Sequence, residues 1–460
     1  MRKNYNYCMK FALHASTIKS VFSRILVTIM LVFSFNIAEA QWLDWANETS
    51  TRLTLTTVAN SDDEEKDMWA ADLNNDGDED LIVVRKEPFS TSSEPGKTNL
   101  LLMNVNGILT DQTLQYAPEF ISSVNFSRDV YVGDFDGDNW KDVITANTFG
   151  QQPKYFRNRG NDGQGNWLGL INESASRFPL LNDDTPLFCA VWGGDVNGDN
   201  APDIYFVNYK SSGTAKDYLL INNGSGVFTN ESQARLGNLR NSAFGTAVQI
   251  VDMDNDGDND IVKTSTLFNV SPWNALGVFV LFNNGTGTFT NWQNITPGGA
   301  HYMFEVADFN LDGKKDVYVV DDGTDYLVKV TGFNPNVSLT IVKTNLNYSS
   351  SNGFGGNVHA ADLDLDGDLD IGIADVDVDI PPCNSSRRMA IYRNDNGVFT
   401  DVYGSSFQGW ADNNYDFAWL DINGDGLKDF VTGFCAGYGV FMNDNCGLAP
   451  TPSDYDLDGL

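Results

Sequence analysis

The chain has 460 residues, with 62 acidic against 29 basic side chains and a formal net charge of −33. A surface that negative repels nucleic acid and anionic membranes, which excludes both as partners. Length alone would divide the chain into about three domains, an expectation that the internal repeats override.

From the N-terminus, Arg2, Lys3, Lys10, Lys19 and Arg24 precede an apolar run from Ile25 to Phe33, and Ala38-Glu39-Ala40 follows before Gln41. Basic, apolar and small-residue regions in that order predict a secretory signal over residues 1–40, cleaved after Ala40, and hence a secreted or cell-surface protein. The alternative is a retained N-terminal anchor, although the run is short for a membrane span and no later segment is long enough to cross. Export permits disulfides among Cys189, Cys383, Cys435 and Cys446. Cys435 with Cys446 is the preferred pair because it would tie down the end of the last repeat; Cys189 reads equally as a free buried thiol.

Seven nine-residue stretches follow, each with oxygen-bearing side chains at positions 1, 3, 5 and 9. DLNNDGDED offers Asp72, Asn74, Asp76, Asp78 and Asp80; DFDGDNWKD offers Asp134, Asp136, Asp138 and Asp142, with the Trp140 carbonyl at position 7. DVNGDNAPD offers Asp195, Asn197, Asp199 and Asp203 with the Ala201 carbonyl, and DMDNDGDND offers Asp252, Asp254, Asp256, Asp258 and Asp260. DFNLDGKKD offers Asp308, Asn310, Asp312 and Asp316 with the Lys314 carbonyl, and DLDLDGDLD offers Asp362, Asp364, Asp366, Asp368 and Asp370. The last, DINGDGLKD, offers Asp421, Asn423, Asp425 and Asp429 with the Leu427 carbonyl. The seven hold 28 acidic residues, so much of the negative charge is a property of these loops.

Carboxylates about 5 Å apart repel by roughly 3 kcal/mol per pair at an effective dielectric of 20, so the pattern calls for a positive counterion. Calcium fits, because it takes six to eight oxygens from carboxylates, amides and backbone carbonyls in a flexible shell; magnesium demands tighter octahedral geometry. Position 7 varies freely, as expected of a residue that lends only its carbonyl. Position 6 is Gly77, Gly257, Gly313, Gly367 and Gly426, with Asn139 and Asn200 in the other two loops. These residue types enter a left-handed turn most cheaply. An EF-hand is the rival, but it needs an acidic residue at position 12 and a helix after it. Here position 12 is never acidic, and β-type runs such as LIVV, IYFV and VYVV follow. Positions 2 and 10 are apolar in every copy, pinning each loop into a core at both ends.

The first aspartates stand 54 to 62 residues apart, room for four short strands per repeat. Around the fourth loop these are FGTAVQIV, IVKTST, GVFVLFNN and GTFTNWQ, with an Asn/Gly hairpin turn before the last. Seven such units are predicted to close into an all-β, seven-bladed propeller of four-stranded antiparallel blades. After Asp429 only two further strands fit, whereas QWLDWANETSTRL near the N-terminus matches NWLGLINESASRF in an outer-strand region. The N-terminal strand is therefore expected to complete the last blade. The propeller should span residues 41–448, leaving 449–460 as a linker and a truncated acidic DYDLDG tail that would open another calcium-rich module.

Loop, flanking strands, period and copy number together resemble the FG-GAP/VCBS family of calcium-binding propeller repeats, the type found in integrin α-chain heads. Phe-Gly pairs precede the loops as Phe244-Gly245 and Phe354-Gly355. The resemblance implies up to seven calcium ions in the loops between the first and second strands of each blade.

Ligands are expected on the opposite face, where irregular loops carry Phe89, Phe149, Tyr209, Phe268 and Trp273. Rings beside amides suit sugar or peptide capture, but they also suit packing beneath their own loops. The favoured reading is a monomeric, non-catalytic recognition or adhesion module for an extracellular protein or glycan. A carbohydrate-binding lectin and a propeller-fold polysaccharide lyase are the alternatives. The enzyme reading is the weaker, since G-x-S-x-G and H-E-x-x-H motifs are lacking and the only histidines after residue 40 are His301 and His359.

Overall fold

The computed structural model describes residues 43, 45–59, 65–86, 96–183, 185–210, 215–266, 270–273, 275–299, 301–321, 323–346, 356–374, 389–402, 414–434 and 437–443. The signal and tail segments, Phe354-Gly355, Cys383 and the Cys435–Cys446 pair lie outside these residues, while Cys189 is buried.

Seven sheets succeed one another along the chain. In each, the loop of acidic residues joins an innermost strand to the second, as in Phe188–Gly194 followed by Asp203–Asn208, then Tyr218–Asn222 and Phe228–Asn230. Neighbouring strands pair antiparallel throughout this blade. In the fourth blade the strands are Val248–Val251, Asp260–Ser265, Gly277–Asn283 and Phe289–Asn294, close to those expected from the sequence. Second and third strands are buried along their whole length in that blade because both faces meet neighbouring blades, and only the outer strand meets water.

Among the described residues there are seven apolar cores, one at each blade interface. The cluster that joins Met68, Leu81 and Leu100 to Leu420, Val431 and Val440 sets the first blade against the seventh, so the ring is closed. Positions 2 and 10 of every loop lie in these cores: Leu73 and Leu81, or Phe309 and Val317, are at most 1% exposed.

The N-terminal strand, Trp45–Asn47, pairs antiparallel with Gly437–Asn443 and supplies the seventh blade's missing outer strand. Trp45 is 7% exposed and rests on Trp419 and the edge of Phe430, with ring centroids 6.0 and 5.0 Å away. A second attachment leaves no sign in the sequence: Leu53–Thr54 adds in parallel to Leu109–Asp111 of the first blade, so one segment laces both sides of the closure.

The repeated Asn-Glu-Ser/Thr-x-x-Arg motif is a further fastening. Asn47, Asn172 and Asn230 each accept the backbone N–H two residues on, opening a single helical turn. Glu48, Glu173 and Glu231 then orient Arg52, Arg177 and Arg235, whose guanidiniums donate to the Gly107, Ser225 and Gly287 carbonyls in the outer hairpin of the next blade. A geometry repeated at three interfaces is a designed contact and not a chance ion pair, although such partly exposed pairs contribute little individually. Among the described residues no helix is long and apolar enough to cross a membrane.

Deleting residues 41–51 should strip the seventh blade of its outer strand and expose a sheet edge, giving aggregation or loss of cooperative unfolding. The milder Trp45→Ala should cost about 3–5 kcal/mol, the usual range for a buried tryptophan. Denaturant melts check both, and a deletion that melts like the intact chain would overturn the closure.

Candidate metal loops

All seven loops share one backbone design. The first carboxylate accepts N–H groups from the turn ahead of it: Asp72 takes those of Asp76 (3.2 Å) and Gly77 (2.9 Å), and Asp421 takes those of Gly424, Asp425 and Gly426 at 2.7, 3.2 and 2.8 Å. The fifth carboxylate accepts the N–H of position 7 in every loop, from Asp76 with Asp78 (3.0 Å) to Asp425 with Leu427 (2.9 Å).

Position 6 is left-handed throughout, with φ between 65° at Asn139 and 96° at Gly367, as its residue types predict. Position 4 is left-handed as well, which the sequence does not reveal. Gly137, Gly198 and Gly424 suit it, Asn75 and Asn255 tolerate it, but Leu311 and Leu365 hold φ of 54° and 58°. That conformation costs a residue with a Cβ about 1–2 kcal/mol, so the wrapped loop is stabilised by more than local preference.

The ninth aspartate has a dual position. Asp80 accepts the N–H of Leu73 at 3.1 Å on one oxygen and that of Asn104, at the end of the third strand, at 2.8 Å on the other. Asp203, Asp260, Asp370 and Asp429 repeat both bonds, and Asp142 gives one oxygen to Asn158 N–H and the other to the Tyr155 hydroxyl. Each oxygen keeps a second lone pair, so the residue can anchor the loop to the sheet and still face an ion. Burial pushes these carboxyls up to about 8 at Asp80 and Asp260, about 9 at Asp370, about 7 at Asp142, Asp203 and Asp429, and about 6 at Asp316.

The side chain of that third-strand asparagine reaches into the preceding blade. Asn104, Asn158, Asn222, Asn283 and Asn394 donate to the position-2 carbonyls of Ile422, Leu73, Phe135, Val196 and Phe309 at 2.7 to 3.0 Å, and Asn443 to that of Leu363 at 3.3 Å. The signal is present in the sequence as strands ending LLLMN, KYFRN, YLLIN and AIYRN.

Position 3 divides the loops. Where it is asparagine, Asn74, Asn197 and Asn423 donate to Asp76, Asp199 and Asp425 at 2.8 to 3.0 Å, so an amide lies against the fifth carboxylate. Where it is aspartate, carboxylate oxygens converge within 4.8 Å: Asp134, Asp136 and Asp138; Asp252, Asp254 and Asp260; Asp362, Asp364 and Asp370. The buried atoms Asp136 Oδ1, Asp254 Oδ1 and Asp368 Oδ1 have no hydrogen-bond partner among the described residues. Among the described residues basic groups reach three loops, Arg177 touching Asp136 at 3.1 Å, Lys314 touching Asp312 at 3.3 Å and Lys428 touching Glu79 at 3.2 Å.

Three stretches of the chain, residues 72–145, 195–262 and 308–373, match the model of the FG-GAP-like repeat. The chain carries FG-GAP-like repeats in these stretches. Each matched stretch of FG-GAP-like sequence opens on the first aspartate of one loop and runs past the next loop into the strand after it, so six of the seven loops are covered. Similar solved structures include that of the V. cholerae biofilm matrix protein Bap1, at 10% identity over 88% of this chain and 92% of that one, with a TM-score of 0.43. A streptogramin B lyase structure matches at 10% identity over 84% of this chain and 100% of that one, with a TM-score of 0.44. No curated protein matches the sequence.

Two of the aromatic residues expected to meet a ligand are instead core. Trp273 is 2% exposed, packs on Phe279 and Trp292 and donates its indole N–H to the Asn241 carbonyl; Tyr209 is 6% exposed and packs on Phe244. Burying these large rings with their polar tips paired is the more favourable arrangement. Phe149 is half-buried against Phe126, and Phe89 and Phe268 lie outside the described residues. His301 is enclosed between Asp321 and the Thr296 carbonyl, a structural setting.

The raised ninth-position carboxyls fix a pH response of the metal-free protein. A group whose folded pKa lies above its unfolded one stabilises the fold at low pH and loses that contribution as pH rises through the folded value. With chelator present, the melting temperature should therefore fall as pH rises from the ordinary carboxylate value of about 4 and level off only above the folded values, which run from about 6 at Asp316 to about 9 at Asp370; a flat calorimetric profile would contradict the burial of these groups.

Proposed function

We propose that the protein is a secreted or cell-surface recognition or adhesion module in which calcium stiffens the ring of loops and a protein or glycan is bound on the opposite face. The observation that supports calcium most directly is the set of buried carboxylate oxygens on Asp136, Asp254 and Asp368 that lack a donor among the described residues. Leaving them so is costly, and a hard divalent cation with room for several oxygens offsets that cost. The side chains at positions 1, 3, 5 and 9 and the carbonyl at position 7 would hold the ion. The loops around Asp256 and Asp366 each bring five aspartates, so they should bind most tightly. Those with Asn74, Asn197, Asn310 and Asn423 should bind more weakly, one anionic ligand having become an amide.

Topology supports recognition on the far face. Chain direction reverses at each strand, so if the acidic loops share one face, the remaining inner connections emerge on the other. The apolar run ahead of Ala40 supports export, the compartment in which calcium is abundant.

Excess EDTA should lower the melting temperature sharply, because a ligand at ten times its dissociation constant stabilises the fold by about 1.4 kcal/mol per site. Asp256→Ala should cost stability while leaving capture on a glycan or protein array unchanged. A melt insensitive to EDTA, with far fewer than seven ions per chain by metal analysis, would overturn structural calcium. Release of unsaturated uronate from a pectic polymer would overturn the non-catalytic assignment.

A further inference from the structure

Inside the ring, the innermost strands enclose a cavity of about 360 Å³ lined by residues from every blade. Five residues before the first aspartate of the acidic loops stand Asp67, Asp129, Asn357 and Asp416; three before stand Trp69, Trp192, Glu305 and His359. Bulges at Ser127/Asp129 and Asn414/Asp416 interrupt the strand pairing at these levels, a device that re-aims side chains.

The polar wall brings together three carboxyl groups, and the attraction of Asp416, Glu305 and Asp129 makes the His359 imidazole beside them more basic than usual. Asp67 accepts from the Asn357 amide at 2.8 Å, Asp129 from the Val130 and Val191 N–H groups at 2.7 Å, and Glu305 from the Gln249 amide at 3.3 Å. All these donors are neutral. His359 is held at 2.9 Å by Asp416, which lies behind it and is fully buried, and Arg128 is turned onto the Cys189 sulfur at 3.2 Å. Burial pushes Asp129 and Glu305 up to about 7, and Asp67 and Asp129 hydrogen-bond to each other through their carboxyls. Lining the same cavity, the Trp69 and Trp192 rings stand 5.6 Å apart, with Tyr131 against both at 4.8 and 5.4 Å.

We propose that this channel binds a small organic cation, a protonated primary amine seated between the Asp67–Asp129 pair, which shares one proton, the Glu305 carboxylate and the Trp69 and Trp192 rings. Aromatic faces attract an ammonium group once it is desolvated, and the carboxylates accept its N–H bonds. A bare metal ion suits the site less: among the described residues, carboxylate oxygens converge as a metal cluster in the acidic loops and not here. The volume accommodates a short diamine and excludes a folded partner.

The test is a calorimetric titration of putrescine into the full chain in calcium-containing buffer, which occupies the acidic loops, with 1,4-butanediol as the neutral isostere. One saturable site per chain for putrescine, none for butanediol, and a change in tryptophan emission are expected. Asp129→Asn and Trp192→Leu should each weaken binding about tenfold, as loss of a charge partner or a ring face does. Glu305→Gln serves where Asp129→Asn does not fold, since Asp129 also holds Val191. The proposal is overturned if the unmodified chain shows no saturable putrescine binding, if butanediol binds equally, or if Glu305→Gln and Trp192→Leu both leave affinity unchanged.

Discussion

One carboxylate and one carboxamide join each blade to the blade before it. The ninth aspartate of a loop accepts the backbone N–H of an asparagine at the end of the third strand, and that asparagine's side chain donates to the position-2 carbonyl of the preceding loop. Position 2 in turn donates its own N–H to its loop's ninth aspartate, as Leu73 does to Asp80. Loop, sheet and neighbouring loop are thus one hydrogen-bonded circuit, and the acidic loops take part in blade packing. The fifth blade is the exception: Val330 stands where the others have asparagine, and Asp316 Oδ2 finds no partner among the described residues. There the gap is bridged by Asn255 donating to the Gly313 carbonyl and by Gln249, which contacts both Glu305 and the Val306 N–H.

This circuit explains how carboxylates can be buried at the base of every loop. A desolvated carboxylate is expensive unless several donors converge on it, and two backbone N–H groups per aspartate meet that need in most blades. The exposed end of the loop is different. Its aspartates repel one another, and Leu311 and Leu365 sit in a disfavoured backbone region. Base and rim therefore serve separate ends: the base is satisfied by the chain itself, the rim by whatever charge comes from outside.

Fold and loops are legible in the sequence because they repeat. A nine-residue pattern at a near-constant period identifies the blades, and the echo of QWLDWANETSTRL in NWLGLINESASRF identifies the strand that closes the ring. What stays hidden depends on contacts between repeats or on backbone geometry. Leucine at position 4 gives no sign of a left-handed φ, and the third-strand asparagine reads as a turn residue until its reach to the previous blade is seen. Asp67, Asp129, Glu305 and His359 are separated by gaps of 54 to 176 residues in sequence and share a cavity only after closure. Trp273 and Tyr209 mislead because an aromatic residue in a loop looks the same in sequence whether it caps the core or faces solvent.

The pairing of Trp45–Asn47 with Gly437–Asn443 also sets the order of events in time. Thr49 and Val440, hydrogen-bonded in the finished ring, are separated by 391 positions along the chain. Six blades can assemble from local hairpins as the polypeptide emerges, but the first strand must wait, unpaired, until nearly the whole propeller exists. Contacts at such separation form late and slowly, and an unsatisfied edge in the interval invites pairing with other chains. For this protein the vulnerable species is an open ring, complete in every blade but the last.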